Sequence, residues 1–138
     1  MSVVIETASF TVPASRLWEL VKDFGAIDKI MDGIDECVLE GDGIGATRRI
    51  TTANGQIVES LNVLDHEKMT LVYSIVSGPM PFKDYSATMV VTADSDDSCS
   101  LTWTGSFEPD GVPAEKADRI ASGVYRGGIA GYSKALGL

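Results

Sequence analysis

The dipeptide Asn54-Gly55, set between two segments of alternating apolar and polar residues, restricts the fold more than any other feature of this chain. A two-residue turn there pairs residues 46–52 with 56–64 as an antiparallel hairpin. Ala53 then faces Gln56, Thr52 faces Ile57, Ile50 faces Glu59 and Arg48 faces Leu61. Side chains alternate across a strand, so Arg48, Ile50, Thr52, Ile57, Glu59, Leu61 and Val63 share one face. Arg49, Thr51, Val58, Ser60 and Asn62 share the other. The first set is the more apolar and is expected to face the interior. That places Arg48 and Glu59 indoors, as diagonal neighbours within reach of each other. A buried carboxylate is tolerated when it is paired, and such a site calls for water or a polar ligand group beside it.

The rest of the chain supplies partners for this hairpin. Residues 3–12 alternate as a strand, and Pro13 opens a helix with Leu17, Trp18, Leu20, Val21 and Phe24 on its apolar stripe. Gly25 is expected to end that helix, and a short helical piece follows over 26–31. Further strands are expected over 34–39, 69–77, 85–93 and 99–107, separated by turns. The 78–81 segment is read as loop, because it holds two prolines. Pro113 opens a long helix of about 24 residues, on the order of 36 Å, enough to cross a sheet. The order is strand, helix, six strands and one long helix. Short links make the sheet antiparallel, and the helix must bury its stripe against it.

That helix carries an oddity. Ala117, Ile120, Ala121, Val124, Gly128, Gly131 and Ala135 fall on one stripe, and Gly123 and Gly127 lie beside them. Each interior glycine costs about 0.8–1 kcal/mol against alanine. Glycines on a buried stripe signal either very close packing on the sheet or a cavity. Paired polar residues facing the same volume favour the cavity. Alternation adds Leu71, Tyr73 and Ile75, then Tyr85, Ala87 and Met89, then Leu101, Trp103, Gly105 and Phe107, to the inward face.

Charge narrows the partners. The 138 residues hold 20 acidic and 11 basic side chains, a net charge of −9 with no basic cluster. This disfavours nucleic acid and anionic membrane surfaces. No apolar run approaches the length of a bilayer span, so no integral membrane association is expected and the location is taken as cytoplasmic. Cys37 and Cys99 lack metal-ligand spacing and read as buried thiols. Gly41, Gly43 and Gly45 precede no helix and read as a turn, as do Asp94, Asp96 and Asp97. No metal or cofactor is expected. His66 sits in a turn between Asp65 and Glu67, read as solvated, which leaves the core without a histidine base.

Val12-Pro13-Ala14 before Leu17-Trp18, the run from Gly43 through Arg48, Glu59-Ser60-Leu61 followed by Leu64-Asp65, Tyr73-Ser74-Ile75 with Gly78-Pro79, Tyr85, and Leu101-Thr102-Trp103 occur in a characteristic order. In that order the chain resembles the START-like, birch-pollen-allergen-like superfamily, within it the polyketide cyclase/dehydrase and lipid-transport group. The resemblance implies one α+β helix-grip domain over residues 1–138. Its seven-stranded curved antiparallel sheet would wrap the C-terminal helix, with two short helices after the first strand. The stretch from Glu59 to Tyr85 is similar to the plant abscisic-acid receptors. That likeness implies that Arg48, Glu59, Tyr73, Ile75, Phe82 and Tyr85 border a ligand, with Ile120, Val124 and Gly128 on the helix side. The ligand-gripping lysine of those receptors falls near Asp35, and their longer gating loop is here the Asn54-Gly55 turn.

Together with Ile50, Leu61, Ala87 and Trp103 from the alternation, these residues form the expected ligand site. Three roles fit the Arg48–Glu59 pair: an ion pair that fixes the hairpin, a polar pole that orients a ligand, or a general base at Glu59 beside a tyrosine proton donor. The first functional expectation is a binding protein for a small hydrophobic molecule such as a lipid or polyketide. The alternative is a cyclase- or dehydratase-type enzyme. A third is an interaction module, monomer or homodimer, that docks a partner through the apolar loop 78–82.

Overall fold

The computed structural model describes residues 1–138. Ten elements follow one another: β1 (Ser2–Phe10), α1 (Ala14–Val21), a 3-10 helix (Phe24–Lys29), β2 (Ile34–Glu40), β3 (Thr47–Thr52), β4 (Gly55–Asp65), β5 (Thr70–Ser77), β6 (Phe82–Ser95), β7 (Ser98–Pro109) and α2 (Ala114–Ala135). The seven strands form one antiparallel sheet in the order β1-β7-β6-β5-β4-β3-β2. From β2 to β7 each strand pairs with the next in the chain. The β1–β2 connection alone spans from one edge to the other, and it carries α1 and the 3-10 helix. Register shifts interrupt three of the six strand pairs, and such bulges bend a sheet and tighten its twist. This is the expected helix-grip architecture.

Element ends shift for local reasons. β1 stops at Phe10, and Pro13 is the N-cap of α1 with an extended backbone. α1 ends at Val21 rather than at Gly25, because the chain turns into the 3-10 helix, kinked at Ala26. β6 begins at Phe82, where β7 reaches back to pair Pro109 with it.

The concave face of the sheet is the core. Phe10, Leu71, Leu101, Trp103 and Phe107 are almost completely buried there, with Leu17 of α1. Removing such side chains from water stabilises by roughly 1.5–3 kcal/mol each. β1 turns Val3 and Ile5 out to solvent on the convex face. His66 is not simply solvated: Trp18 Nε1–H donates to its Nδ1 at 3.3 Å.

On α2 the buried stripe is Ala117, Ala121, Tyr125, Gly128 and Tyr132. It is rotated from the expected one, because two tyrosines bury their rings while their apolar neighbours stay at the flank. Ile120 and Val124 are half-buried, and Ala135 is exposed. Tyr125 stacks on Trp103 with ring centres 4.9 Å apart, and a Cβ at Gly105 would overlap its hydroxyl. Close packing, not a void, explains two of the helix glycines. A Cβ at Gly128 would run into the Trp103 ring, and one at Gly131 into the Ile30 carbonyl. Gly123 is different: it is exposed and nothing lies near its missing Cβ.

These glycines give opposite expectations on urea unfolding. Gly123→Ala stabilises the chain by about 0.8–1 kcal/mol through helix propensity alone. Gly128→Ala destabilises it by about 1–3 kcal/mol, because the indole must move. Equal effects at the two positions would contradict the packing described.

Candidate functional site

The hairpin closes one step away from the sequence expectation. Thr52 pairs with Gly55, so the loop is Ala53-Asn54, and Ile50 faces Ile57. Gly55 carries the positive φ of +128°, whereas Asn54 does not take one. The Thr52 hydroxyl organises the turn. It donates to the Gly55 carbonyl at 3.0 Å and accepts from the Asn54 N–H at 3.2 Å. The register differs by two residues from the expected one, an even number, so the inward face is preserved. Arg48 and Glu59 therefore lie directly opposite each other rather than on a diagonal. Val63 does leave that face. A bulge between Leu61 and Val63 turns it outward opposite Val72 and brings Leu64 inward against Leu71.

The ion pair is buried and tightly made. Arg48 Nε donates to Glu59 Oε1 at 2.8 Å, and Nη2 lies 2.7 Å from the same oxygen. Nη1 donates to the Phe24 carbonyl at 2.9 Å. The guanidinium lies 3.9 Å from the centre of the Phe24 ring and 5.1 Å from that of Tyr73, a cation–π arrangement. Burial alone would lower the Arg48 pKa, but the Glu59 charge and hydrogen bond outweigh it and the net shift is upward. Both arginine contacts fall on Oε1. Oε2 of Glu59 has no protein partner, and it is not sealed from open space.

A chain of hydroxyls runs beside this pair. Trp103 Nε1–H donates to Tyr73 Oη at 3.3 Å, Tyr73 and Tyr85 are 3.3 Å apart, and Tyr85 and Tyr125 are 2.5 Å apart. Three hydroxyl protons serve two tyrosine–tyrosine bonds. One proton is left to donate elsewhere, and it sits on Tyr73 when the chain runs Tyr125→Tyr85→Tyr73. Burial, then the Glu59 charge, raises the Tyr73 pKa well above the ordinary phenol value. Burial does the same for Tyr85. Each is thereby kept as a neutral donor.

Arg48, Glu59, Tyr73, Tyr85 and Trp103 among these groups border a cavity of ≈ 290 Å³. Of the expected ligand residues, Arg48, Ile50, Glu59, Tyr73, Ile75, Phe82, Tyr85, Trp103 and Val124 line it. Leu61, Ala87, Ile120 and Gly128 do not. Leu61 and Ala87 flank Tyr73 on the neighbouring strands and are buried in the core beneath the rings. Ile120 lies at the flank of α2, and Gly128 is spent on Trp103. A bulge with Asp84 at φ +53° lets Phe82 and Tyr85, three residues apart, both turn inward and stack at 5.2 Å.

Other lining residues escaped the sequence reading. Ile27, Met31, Asp32 and Gly33 come from the 3-10 helix and its link to β2, where no periodic signal exists, and Ile34 opens β2. Thr52, Asn54 and Ile57 come from the hairpin, whose inward face was legible. Pro79 and Met80 come from the β5–β6 loop, and Ala121 from α2. Met80 and Phe82, apolar enough to suggest a docking loop, turn toward the cavity instead. Thirteen of the twenty lining residues are hydrophobic, as ligand cavities generally require.

The description of the family model that matches residues 1–136 is polyketide cyclase / dehydrase and lipid transport. The chain belongs to that family. No curated protein matches the chain in sequence. Among solved structures, XoxI from Bacillus cereus is 23% identical with a TM-score of 0.90, covering 98% of this chain and 95% of its own. A Thermobifida fusca protein is 26% identical with a TM-score of 0.84, covering 99% and 94%. Norcoclaurine synthase from Thalictrum flavum, in complex with dopamine and hydroxybenzaldehyde, is 16% identical with a TM-score of 0.79, covering 98% and 86%. These likenesses extend over whole chains and establish a shared fold. No helix of this family member is long and apolar enough to cross a membrane.

Two measurements check the wall. Arg48→Met strands a buried carboxylate and is expected to cost about 3–5 kcal/mol, most of it regained when Glu59→Leu is added. Additive losses in the two variants would contradict a coupled pair. All four tyrosines are shifted upward by burial, Tyr125 and Tyr132 to about 12. The unfolded chain binds fewer protons than the native one above pH 10, so stability falls as pH rises from about 10 to about 12. Phenolate absorbance is therefore expected to stay flat through pH 10 in the native protein and to titrate there in urea.

Proposed function

We propose that this chain binds a small, largely apolar molecule between the sheet and α2. The observation that carries the reading is a ≈ 290 Å³ cavity, mostly apolar, whose lining includes the Arg48–Glu59 pair with Tyr73 and Tyr85. Ordinary cores fill such a volume with side chains. Membership of a polyketide cyclase / dehydrase and lipid transport family supports the same reading. So does a fold shared with a norcoclaurine synthase that holds two small aromatic compounds.

A second reading, proton-transfer catalysis, is favoured by one specific observation. The unpartnered Oε2 of Glu59 and the neutral hydroxyl of Tyr73 belong to the same cavity wall. In a cyclisation or dehydration, Glu59 would take a proton and the tyrosine would give one. Binding remains the leading reading, because no histidine lines the cavity and Arg48 already occupies half of the carboxylate.

Native mass spectrometry of protein from its own source is expected to show a co-purified small molecule. Val124→Trp, which fills the cavity from α2, is expected to abolish that extra mass and leave the fold intact. A bound molecule that survives Val124→Trp would place the site elsewhere. Glu59→Gln separates the two readings: a catalyst loses turnover and keeps uptake, whereas a binding protein loses uptake.

A further inference from the structure

We infer that the cavity selects a neutral or cationic ligand of about two fused rings that carries a hydrogen-bond donor, and that it turns away carboxylates and phosphates. The inference rests on the binding reading above and adds the chemistry of the ligand to it.

Charge is the first argument. Arg48 is the one basic residue among those lining the cavity, against two acidic residues, Asp32 and Glu59. Three of its five N–H groups are engaged. Nε and Nη2 are held by Glu59, Nη1 by the Phe24 carbonyl, and one face is covered by the Phe24 ring. An incoming anion would either take the two remaining N–H groups, beside the like charge of Glu59, or pull Arg48 from Glu59 and leave that carboxylate buried without a counter-charge, and both are unfavourable. The net charge of −9 adds a long-range penalty for anions.

Hydrogen bonding is the second argument. Oε2 of Glu59 is an acceptor with no protein donor, on a residue that lines the cavity. An ionised carboxylate oxygen has nothing to donate, so the ligand must bring the proton. Hydrogen bonds to charged groups are the stronger kind, worth about 1.5–3 kcal/mol. A hydroxyl or an ammonium group satisfies this oxygen; a carboxylate or phosphate oxygen is repelled by it. The spare proton of the tyrosine chain can complement a ligand oxygen when it resides on Tyr73.

Size is the third. A cavity of roughly 150 Å³ lined by aliphatic and aromatic side chains holds one benzene ring. The ≈ 290 Å³ here is about twice that, room for two rings and not for a long acyl chain. Trp103, Tyr73, Phe82 and Tyr85 supply aromatic surface for such a body.

Four probes with one two-ring body test the inference on the unmodified protein at neutral pH, by calorimetry or tryptophan fluorescence. They are 2-naphthol, 2-(aminomethyl)naphthalene, naphthalene and 2-naphthoate. The naphthol and the amine are expected to bind about ten-fold or more tighter than naphthalene, and naphthoate weaker than naphthalene. In Glu59→Gln the amine is expected to lose its advantage over naphthalene. If naphthoate binds as tightly as naphthol, or naphthol no better than naphthalene, the inferred selectivity is wrong while cavity binding stands. If none of the four binds, naphthalene included, the binding reading itself falls. The wild-type series decides the matter even if Glu59→Gln fails to fold.

Discussion

The buried pair of Arg48 and Glu59 is the constraint on which the rest of this structure depends. Two opposite charges on adjacent strands lock the register of the β3–β4 hairpin, because a slip of one strand by one residue would put them on opposite faces. The same arginine reaches across to the Phe24 carbonyl and ties the 3-10 helix to the sheet. That tie holds in place the segment from Ile27 to Ile34, which forms one side of the cavity. The pair thus joins the sheet, the helical connection and the cavity in one contact.

A polar wall inside an apolar chamber has to be satisfied almost completely. Arginine spends one face on Phe24 and three nitrogens on oxygens. The indole of Trp103 and three tyrosine hydroxyls satisfy one another in series. Against that background the single unpartnered carboxylate oxygen of Glu59 stands out. It is the place where the proposed ligand would gain more than desolvated surface. The glycines of α2 serve this arrangement indirectly. By letting Trp103 and the Ile30 backbone approach closely, Gly128 and Gly131 set the depth at which the helix sits.

Much of this was legible in the sequence, and the reason is periodicity. Seven strands and two principal helices follow from alternation, prolines and glycine-rich turns. The inward face of the hairpin survived a turn misplaced by one step, because a register change of two residues keeps parity. The departures have physical causes. The stripe of α2 was rotated because Tyr125 and Tyr132 bury their rings, which a simple apolar count does not anticipate. Val63 left the inward face at a bulge, and Phe82 joined it at another. Bulges add one residue without any compositional mark. The contribution of Met31 and Asp32 comes from an aperiodic link, where alternation has nothing to say. Gly128 illustrates the deepest ambiguity: an absent side chain can mean a void or a close contact, and only the position of Trp103 decides it.

The most direct test is methyl NMR of the labelled protein as 2-naphthol is added. Binding in the cavity predicts that the perturbed methyls are those of Ile27, Ile50, Ile57, Ile75 and Val124, which line it. Perturbation confined to Val3, Ile5 and Val76, exposed and outside the cavity lining, would contradict the account.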